Sequence, residues 1–480
     1  MRAYLASSIG VACAVALSLP LAVPASATES PAVPARTAEA AKSSDASART
    51  ADTAAETAAE TAAESAAGTA ADTAAAADSA EAGSTQSLPL KPLGSERSLG
   101  ASSAQGVQRR EVLPFSLVGV VWDNPEAELH GQVQVRTRDA GTRKWSDWQE
   151  LITHNEHAPD LGSSERDSGE VRGATAPLWV GASDGVELRV TAEKPTDRAA
   201  APALPENMRL ELISPGDEPA PPNGAPADGP RGVLTVEGAA SSAVNAELAP
   251  MGATAIPALS KAQTEADLLG ARGEVKAKPY IGPRPRIVTR KGWGADESLR
   301  ERNFAYTKTV KLAFVHHSAT GNNYRCAQAP SVMRSIYRYH VKSLGWRDFG
   351  YNFVVDKCGN IYEGRAGGVT KPVRGAHTLG FNSNSMGIAV LGTYTSTKPP
   401  KAAVTAVAKL TAWKLGLYGA NPKATTVVTS GGSGKYKKGQ RVRLHVISGH
   451  RDGFATECPG RHLYGKLGSA RTTSAHYQGR

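Results

Sequence analysis

Long apolar runs are scarce in these 480 residues. One stands out, residues 9–23, which follows a single arginine and leads into Ala25-Ser26-Ala27. That pattern reads as a secretory signal cleaved after Ala27. Its apolar core is too short to span a bilayer, and no second run approaches the roughly 18 residues a span needs, so no membrane insertion is expected. Cysteine is scarce too, with four in the chain. Cys13 lies inside the signal, so no lipid-attachment cysteine follows the cleavage point. Cys326, Cys358 and Cys458 remain, and an odd count outside the cell suggests one disulfide plus one thiol with another task. If Cys458 is that thiol, Cys326 and Cys358 are the natural pair. Spacing leaves open the alternative in which Cys458 pairs with one of them and no metal is bound.

Acidic residues are rare in the C-terminal part. From residue 281 onward there are 32 Lys and Arg against 8 Asp and Glu, a balance of +24, while the rest carries 23 against 37, a balance of −14, giving +10 in all. A basic globular half points to an anionic partner. Outside a cell that means wall polymers and acidic glycans, with no nucleic acid expected.

Composition divides the chain. Residues 28–106 have almost no large apolar side chain, and residues 53–76 repeat a Thr-Ala-Ala-Glu unit whose acids stack on one helix face and repel. This is expected to be a disordered low-complexity spacer. Residues 107–214 hold four strand-like runs with turn residues between them, among them Val133-Gln134-Val135-Arg136-Thr137-Arg138 and Val186-Glu187-Leu188-Arg189-Val190. With no helical pattern, they suggest a small antiparallel β-sandwich. Trp145, Trp148 and Trp179 there could line a sugar-binding face or pack in the core. Residues 215–280, opening with Pro215-Gly216-Asp217-Glu218-Pro219, read as a linker with at most a short helix at 259–269. Residues 281–470 interleave strand runs (312–317, 351–355, 361–363 and 387–391) with helical periodicity at 330–344 and 400–417. The expectation is an α/β fold with one mixed β-sheet flanked by helices.

Three short pieces in this last domain carry chemistry: Val315-His316-His317-Ser318, Gly350-Tyr351-Asn352-Phe353, and Gly449-His450-Arg451-Asp452 running on to Cys458-Pro459-Gly460. His450 and Cys458 lie on a stretch too rich in glycine and proline for regular structure, and imidazole and thiolate are good zinc ligands. A third ligand from the 312–317 strand would leave the fourth position open for water, as catalysis requires. His316 and His317 must point to opposite faces of a strand, so only one can reach the metal.

These pieces, in this order, resemble the peptidoglycan recognition proteins and the phage-lysozyme-type N-acetylmuramoyl-L-alanine amidases that share their fold. Further matching stretches are Trp293-Gly294-Ala295-Asp296, Gly345-Trp346-Arg347-Asp348, Ile361-Tyr362-Glu363-Gly364-Arg365 and Gly375-Ala376-His377-Thr378-Leu379-Gly380-Phe381-Asn382. The resemblance implies zinc held by His316, His450 and Cys458, with His317 a structural residue on the other face. It implies that the Tyr351 hydroxyl helps orient the attacking water or the oxyanion, and that Thr456 hydrogen-bonds there. It also implies a peptidoglycan groove lined by His377 and Asn382. Arg374 can meet a stem-peptide carboxylate or be plain surface charge. Ala366-Gly367-Gly368 departs from the residues associated with diaminopimelate-type stems, so stem preference is not carried over.

The function implied is a secreted, wall-associated, monomeric zinc amidase that cuts between N-acetylmuramic acid and L-alanine, with other anionic wall polymers as further partners. One rival is a non-catalytic peptidoglycan-binding module; such relatives typically lack the zinc cysteine, which is present here. Another is a serine esterase at Gly181-Ala182-Ser183-Asp184-Gly185. A nucleophile elbow needs a strand before it and a helix after it, and here a strand run follows at once.

Overall fold

In the computed structural model the described residues are 83–93, 104–153, 157–193, 203–216, 234–272 and 279–480. The signal, the Thr-Ala-Ala-Glu repeats and the Pro-rich opening of the linker lie outside them. All the described residues fall in one compact unit, Ala67–Arg480.

The N-terminal part is an eight-stranded antiparallel sheet. Its strands are β1 (Ser84–Pro89), β2 (Lys91–Pro92), β3 (Ala104–Trp122), β4 (Gly131–Asp139), β5 (Gln149–Leu151), β6 (Gly173–Ala174), β7 (Leu178–Ala192) and β8 (Arg209–Ser214). Register shifts interrupt the long β3–β7 pairing. Such bulges bend strands, and the sheet wraps around Val118, Val120, Trp122, Val133, Leu188 and Leu212. The β-sandwich expectation holds in class, but its start does not. β1, β2 and the first three residues of β3 lie in the stretch read as spacer, and β1 pairs along its whole length with β8. Its sequence, Ser-Thr-Gln-Ser-Leu-Pro, carries no apolar alternation because the edge strand is only half covered.

The C-terminal sheet is mixed and seven-stranded, in the order β17-β11-β14-β12-β13-β10-β9. The strands are β9 (Ala255–Ile256), β10 (Ile287–Val288), β11 (Leu312–His317), β12 (Phe353–Val355), β13 (Ile361–Glu363), β14 (Ser385–Val390) and β17 (Ile447–Gly449), with β15 (Thr425–Thr429) and β16 (Arg441–His445) forming a separate hairpin. β11 lies between β14 and β17 in parallel register, and all six of its residues are buried. That accounts for its unbroken apolar run, as expected of an inner parallel strand. Ala313 and Val315 face the core under α5 (Lys401–Leu417), while Leu312 and Phe314 face the hairpin, on the face that carries His316.

The linker reading is corrected. Residues 234–260 form α1 (Val236–Ala243) and β9, which pairs with β10 at the sheet edge, and the short helix allowed at 259–269 is present as α2 (Lys261–Arg272). Thr235 caps α1 by accepting from Gly238 N, and Ser260 with Gln263 forms reciprocal bonds before α2. These caps organise short helices that an Ala/Pro/Gly composition conceals.

The two sheets share one core. Along β3, Val118, Val120 and Trp122 point into their own domain, whereas Leu117 and Val121 join a cluster with Ile336, Tyr337 and Tyr339. These last belong to α4 (Ala329–Arg338) and the π-helical turn Tyr339–Ser343 that continues it. Tyr339 donates its hydroxyl to Thr175 O at 3.0 Å, and a Cβ on Gly119 would lie 2.4 Å from that hydroxyl, so only glycine fits. Trp179 is buried in this cluster, as the core reading expects, whereas Trp145 and Trp148 lie under the guanidiniums of Arg109, Arg136 and Arg189. Ser183 sits inside β7 with its hydroxyl on Gly181 O and no helix after it, so the esterase reading has no elbow.

Buried charge is matched in pairs. Arg290 meets Glu297 and Asp348, Arg300 meets Glu297, and Arg365 meets Glu165. Glu363 beside them meets neutral donors instead, accepting from Asn245 Nδ2 and from the Arg290 backbone N. Burial pushes its carboxyl up to about 7 from 4.5, against the opposing pull of Asn245 and Arg290. The folded state thus holds a proton between pH 4.5 and about 7 that the unfolded chain has released. Stability from this group is full below pH 4.5 and declines as pH rises to about 7, by on the order of 3 kcal/mol. Buried neutral histidines pull the total stability the other way over the same range, so the decline is read as the difference between the wild type and Glu363→Gln in urea unfolding at pH 5 and pH 7.5.

Candidate metal centre

His316 is carried by the C-terminal end of β11. His450 opens the short helix α6 (His450–Gly453), and Cys458 follows on the loop beyond it. Asp452 holds that turn by accepting from Gly449 N at 2.9 Å, and Thr456 accepts from Cys458 N at 3.1 Å. The structure brings His316, His450 and Cys458 together, and adds a residue that sequence reasoning missed. His157 arrives from the loop between β5 and β6, and the candidate ligand atoms of all four lie within 4.8 Å of one another.

The spacings suit a metal. His157 Nε2 is 3.0 Å from His316 Nδ1, and Cys458 Sγ is 3.8 Å from His316 Nδ1 and 4.0 Å from His157 Nε2. A tetrahedral zinc site has N–N edges of about 3.3 Å and N–S edges of about 3.6 Å, given its usual bond lengths. Both ring nitrogens of His450 are buried without a hydrogen-bond partner. Such orphans are costly unless something outside the protein's own donors and acceptors satisfies them. Burial, reinforced by neighbouring imidazoles, holds His316 and His450 well below the usual histidine range, and lowers His157 to about 3. All three are therefore neutral, the form that ligates a metal.

The other expected residues divide. Tyr351 is buried with its hydroxyl 3.5 Å from His157 Nε2, and burial, then the nearby Cys458, pushes the phenol up, so it stays protonated as a donor. Thr456, Cys458, His157 and His317 line an open cavity of about 670 Å³, with Arg451 and Lys435 at its wall. His317 is outside the four-residue cluster, and its Nδ1 accepts from Tyr394 N at 3.3 Å. His377 is fully buried, its ring 5.3 Å from that of His316 and its Nδ1 against Thr378, so it lies behind the centre rather than on an open groove wall. Close packing by Gly375 and Gly387 leaves it no other place. Asn382 is also buried; its side chain bonds its own loop and, through Nδ2, Ala158 O and Asp160. Arg374 is half-buried, and its charge helps hold down the Asp160 carboxyl, which burial raises. The disulfide Cys326–Cys358 is formed, Cα atoms 6.2 Å apart, tying the turn before α4 to the β12–β13 turn.

Known proteins match two parts of the chain. Residues 306–461 match a family described as N-acetylmuramoyl-L-alanine amidase, and residues 71–208 match one described as Rv3811 N-terminal galactose-binding domain-like. Peptidoglycan-recognition protein SC2 of Drosophila simulans is 32% identical over 183 residues, covering 38% of this chain and 84% of that protein. A human N-acetylmuramoyl-L-alanine amidase is 33% identical over 188 residues, covering 38% of this chain and 28% of its own length. Among solved structures, Drosophila PGRP-LB is 27% identical, covering 38% of this chain and 93% of its own, with a TM-score of 0.30. Motif order and sequence identity over nearly a whole relative place the chain in one family, that of the peptidoglycan recognition proteins and type 2 N-acetylmuramoyl-L-alanine amidases.

Proposed function

We propose that the protein is a secreted zinc-dependent N-acetylmuramoyl-L-alanine amidase that hydrolyses the amide between N-acetylmuramic acid and L-alanine. The observation that carries this is the convergence of His316, His450 and Cys458, with both nitrogens of buried His450 left without a partner. Those three residues would hold zinc, which when bound acidifies water to a pKa of about 7 and polarises a carbonyl. Tyr351, kept protonated, donates to the oxyanion that forms on the amide carbonyl. Thr456 braces the Cys458 backbone through its oxygen and keeps its hydroxyl hydrogen for the same oxyanion or the water. Arg374, and Asn382 once its Nδ2 is released from Asp160 and Ala158, take polar groups of the stem peptide, and His377 supports the floor beneath His316. The +24 balance from residue 281 onward draws the domain to anionic wall polymers.

Digestion of purified sacculi, read by mass spectrometry, tests the reading. Stem peptides with free L-alanine amino termini are expected, lost with a chelator and regained with added zinc. Sacculi that bind the protein but stay intact under every loading condition, with His157→Ala as well as with the wild type, would make it a recognition module instead.

A further inference from the structure

A catalytic zinc centre keeps one position open, whereas four protein ligands make a closed one. The centre described above has three candidate ligands from the C-terminal domain and a fourth, His157, from the N-terminal one. The His157 ring stacks on His450 with centroids 4.6 Å apart, lies 4.9 Å from the His316 ring and stands edge-on to Tyr351 at 5.3 Å. It thus occupies the corner between the metal ligands and the tyrosine, where a reacting carbonyl and water would have to sit.

The loop that brings it is pinned on the far side of His157 from β5. Asp160 accepts from Gly380 N and Asn382 Nδ2, both at 2.8 Å, and Asn382 Nδ2 also donates to Ala158 O at 2.9 Å. Further on, Glu165 takes both terminal nitrogens of Arg365, at 2.9 and 2.7 Å, and accepts from Arg347 N at 3.2 Å. Asp160 therefore ties up Asn382 Nδ2, which the proposed function assigns to the stem peptide, while Glu165 fixes the loop to Arg365 and Arg347. His157 is not an incidental neighbour; a buried latch holds it in place.

We propose that His157 is a fourth ligand supplied in cis, so that the β5–β6 loop closes the metal centre and the folded chain is a latent form, opened when the loop leaves and water takes the vacated position. The exchange is one of ligands only; no bond in the chain breaks and no electrons move. The proposal rests on the zinc reading of His316, His450 and Cys458.

Cobalt(II) substituted into the full-length protein reports coordination without any turnover. In the wild type, azide titration is expected to perturb the visible cobalt bands only weakly, because the open fraction of the centre scales the apparent affinity. His157→Ala should bind azide about tenfold or more tightly, and its bands should become pH-dependent as water enters. Asp160→Ala, which leaves every ligand in place and loosens the latch, should fall between. Sacculus digestion should rise in the same order. Identical azide affinities and spectra in all three proteins would overturn the latent centre, as would lower digestion by His157→Ala at full metal loading. If the spectra change as expected while none of the proteins cleaves sacculi, the fourth ligand stands and the amidase reading falls.

Discussion

Cys458→Ser is expected to abolish release of stem peptides and to lower zinc affinity by more than the roughly 10–100-fold that losing a ligand-supporting residue costs. Its sulfur sits among the nitrogens of His157 and His316 at 4.0 and 3.8 Å, and nothing else in the cluster supplies a thiolate. A serine hydroxyl is a poor replacement because it does not ionise near neutral pH. The same change should leave the fold standing, since the disulfide is elsewhere and the loop is held by Asp452 and Thr456. Thermal unfolding with and without zinc separates the two effects. The wild type gains stability in proportion to the logarithm of zinc over its dissociation constant. The variant should unfold at the wild-type apo temperature and gain little from zinc. Retained activity at full metal loading would mean that Cys458 is not a ligand.

Arg365→Met is expected to cost about 3–5 kcal/mol, the usual result of stripping one partner from a buried ion pair. Arg365 and Glu165 are 4% and 6% exposed, and two nitrogens of one meet two oxygens of the other. Removing the guanidinium leaves Glu165 charged, buried and facing only Arg347 across the domain interface. The double variant Glu165→Gln, Arg365→Met should recover a large part of the loss, a coupling on the order of 1–3 kcal/mol. Urea unfolding of the two single variants and the double variant closes the cycle. Costs that simply add would mean that the two residues act independently of each other. Because this pair anchors the loop that carries His157, Arg365→Met should also loosen the metal centre.

Much of the C-terminal domain was legible in the residues themselves. β11, β13, α4 and α5 announce themselves through apolar runs and 3.6-residue periodicity, and they lie within a few residues of their expected ends, whereas the helix Leu467–Gln478 was not among those expected. His316 rather than His317 followed from strand alternation once the family motif had chosen a side. The disulfide followed from counting cysteines. Those inferences work because each depends on local geometry or parity. The spacer and linker boundaries failed for the opposite reason. β1 and β9 are short edge elements with no periodicity of their own, and they exist because β8 and β10 offer them backbone partners.

Composition and periodicity by themselves determined the fold class of this protein, its basic half, and His450, Cys458 and one histidine of the 312–317 strand as candidate ligands; the family resemblance selected His316. Tertiary structure alone decided the fourth. His157 lies in His-Ala-Pro-Asp, a stretch with no spacing relation to His316, 159 residues away, and its chemistry appears only because β3 packs its second face on α4 and the turn after it. A ligand supplied across an interface leaves no local signature. What places it is the shared core, and a core is a property of the folded chain.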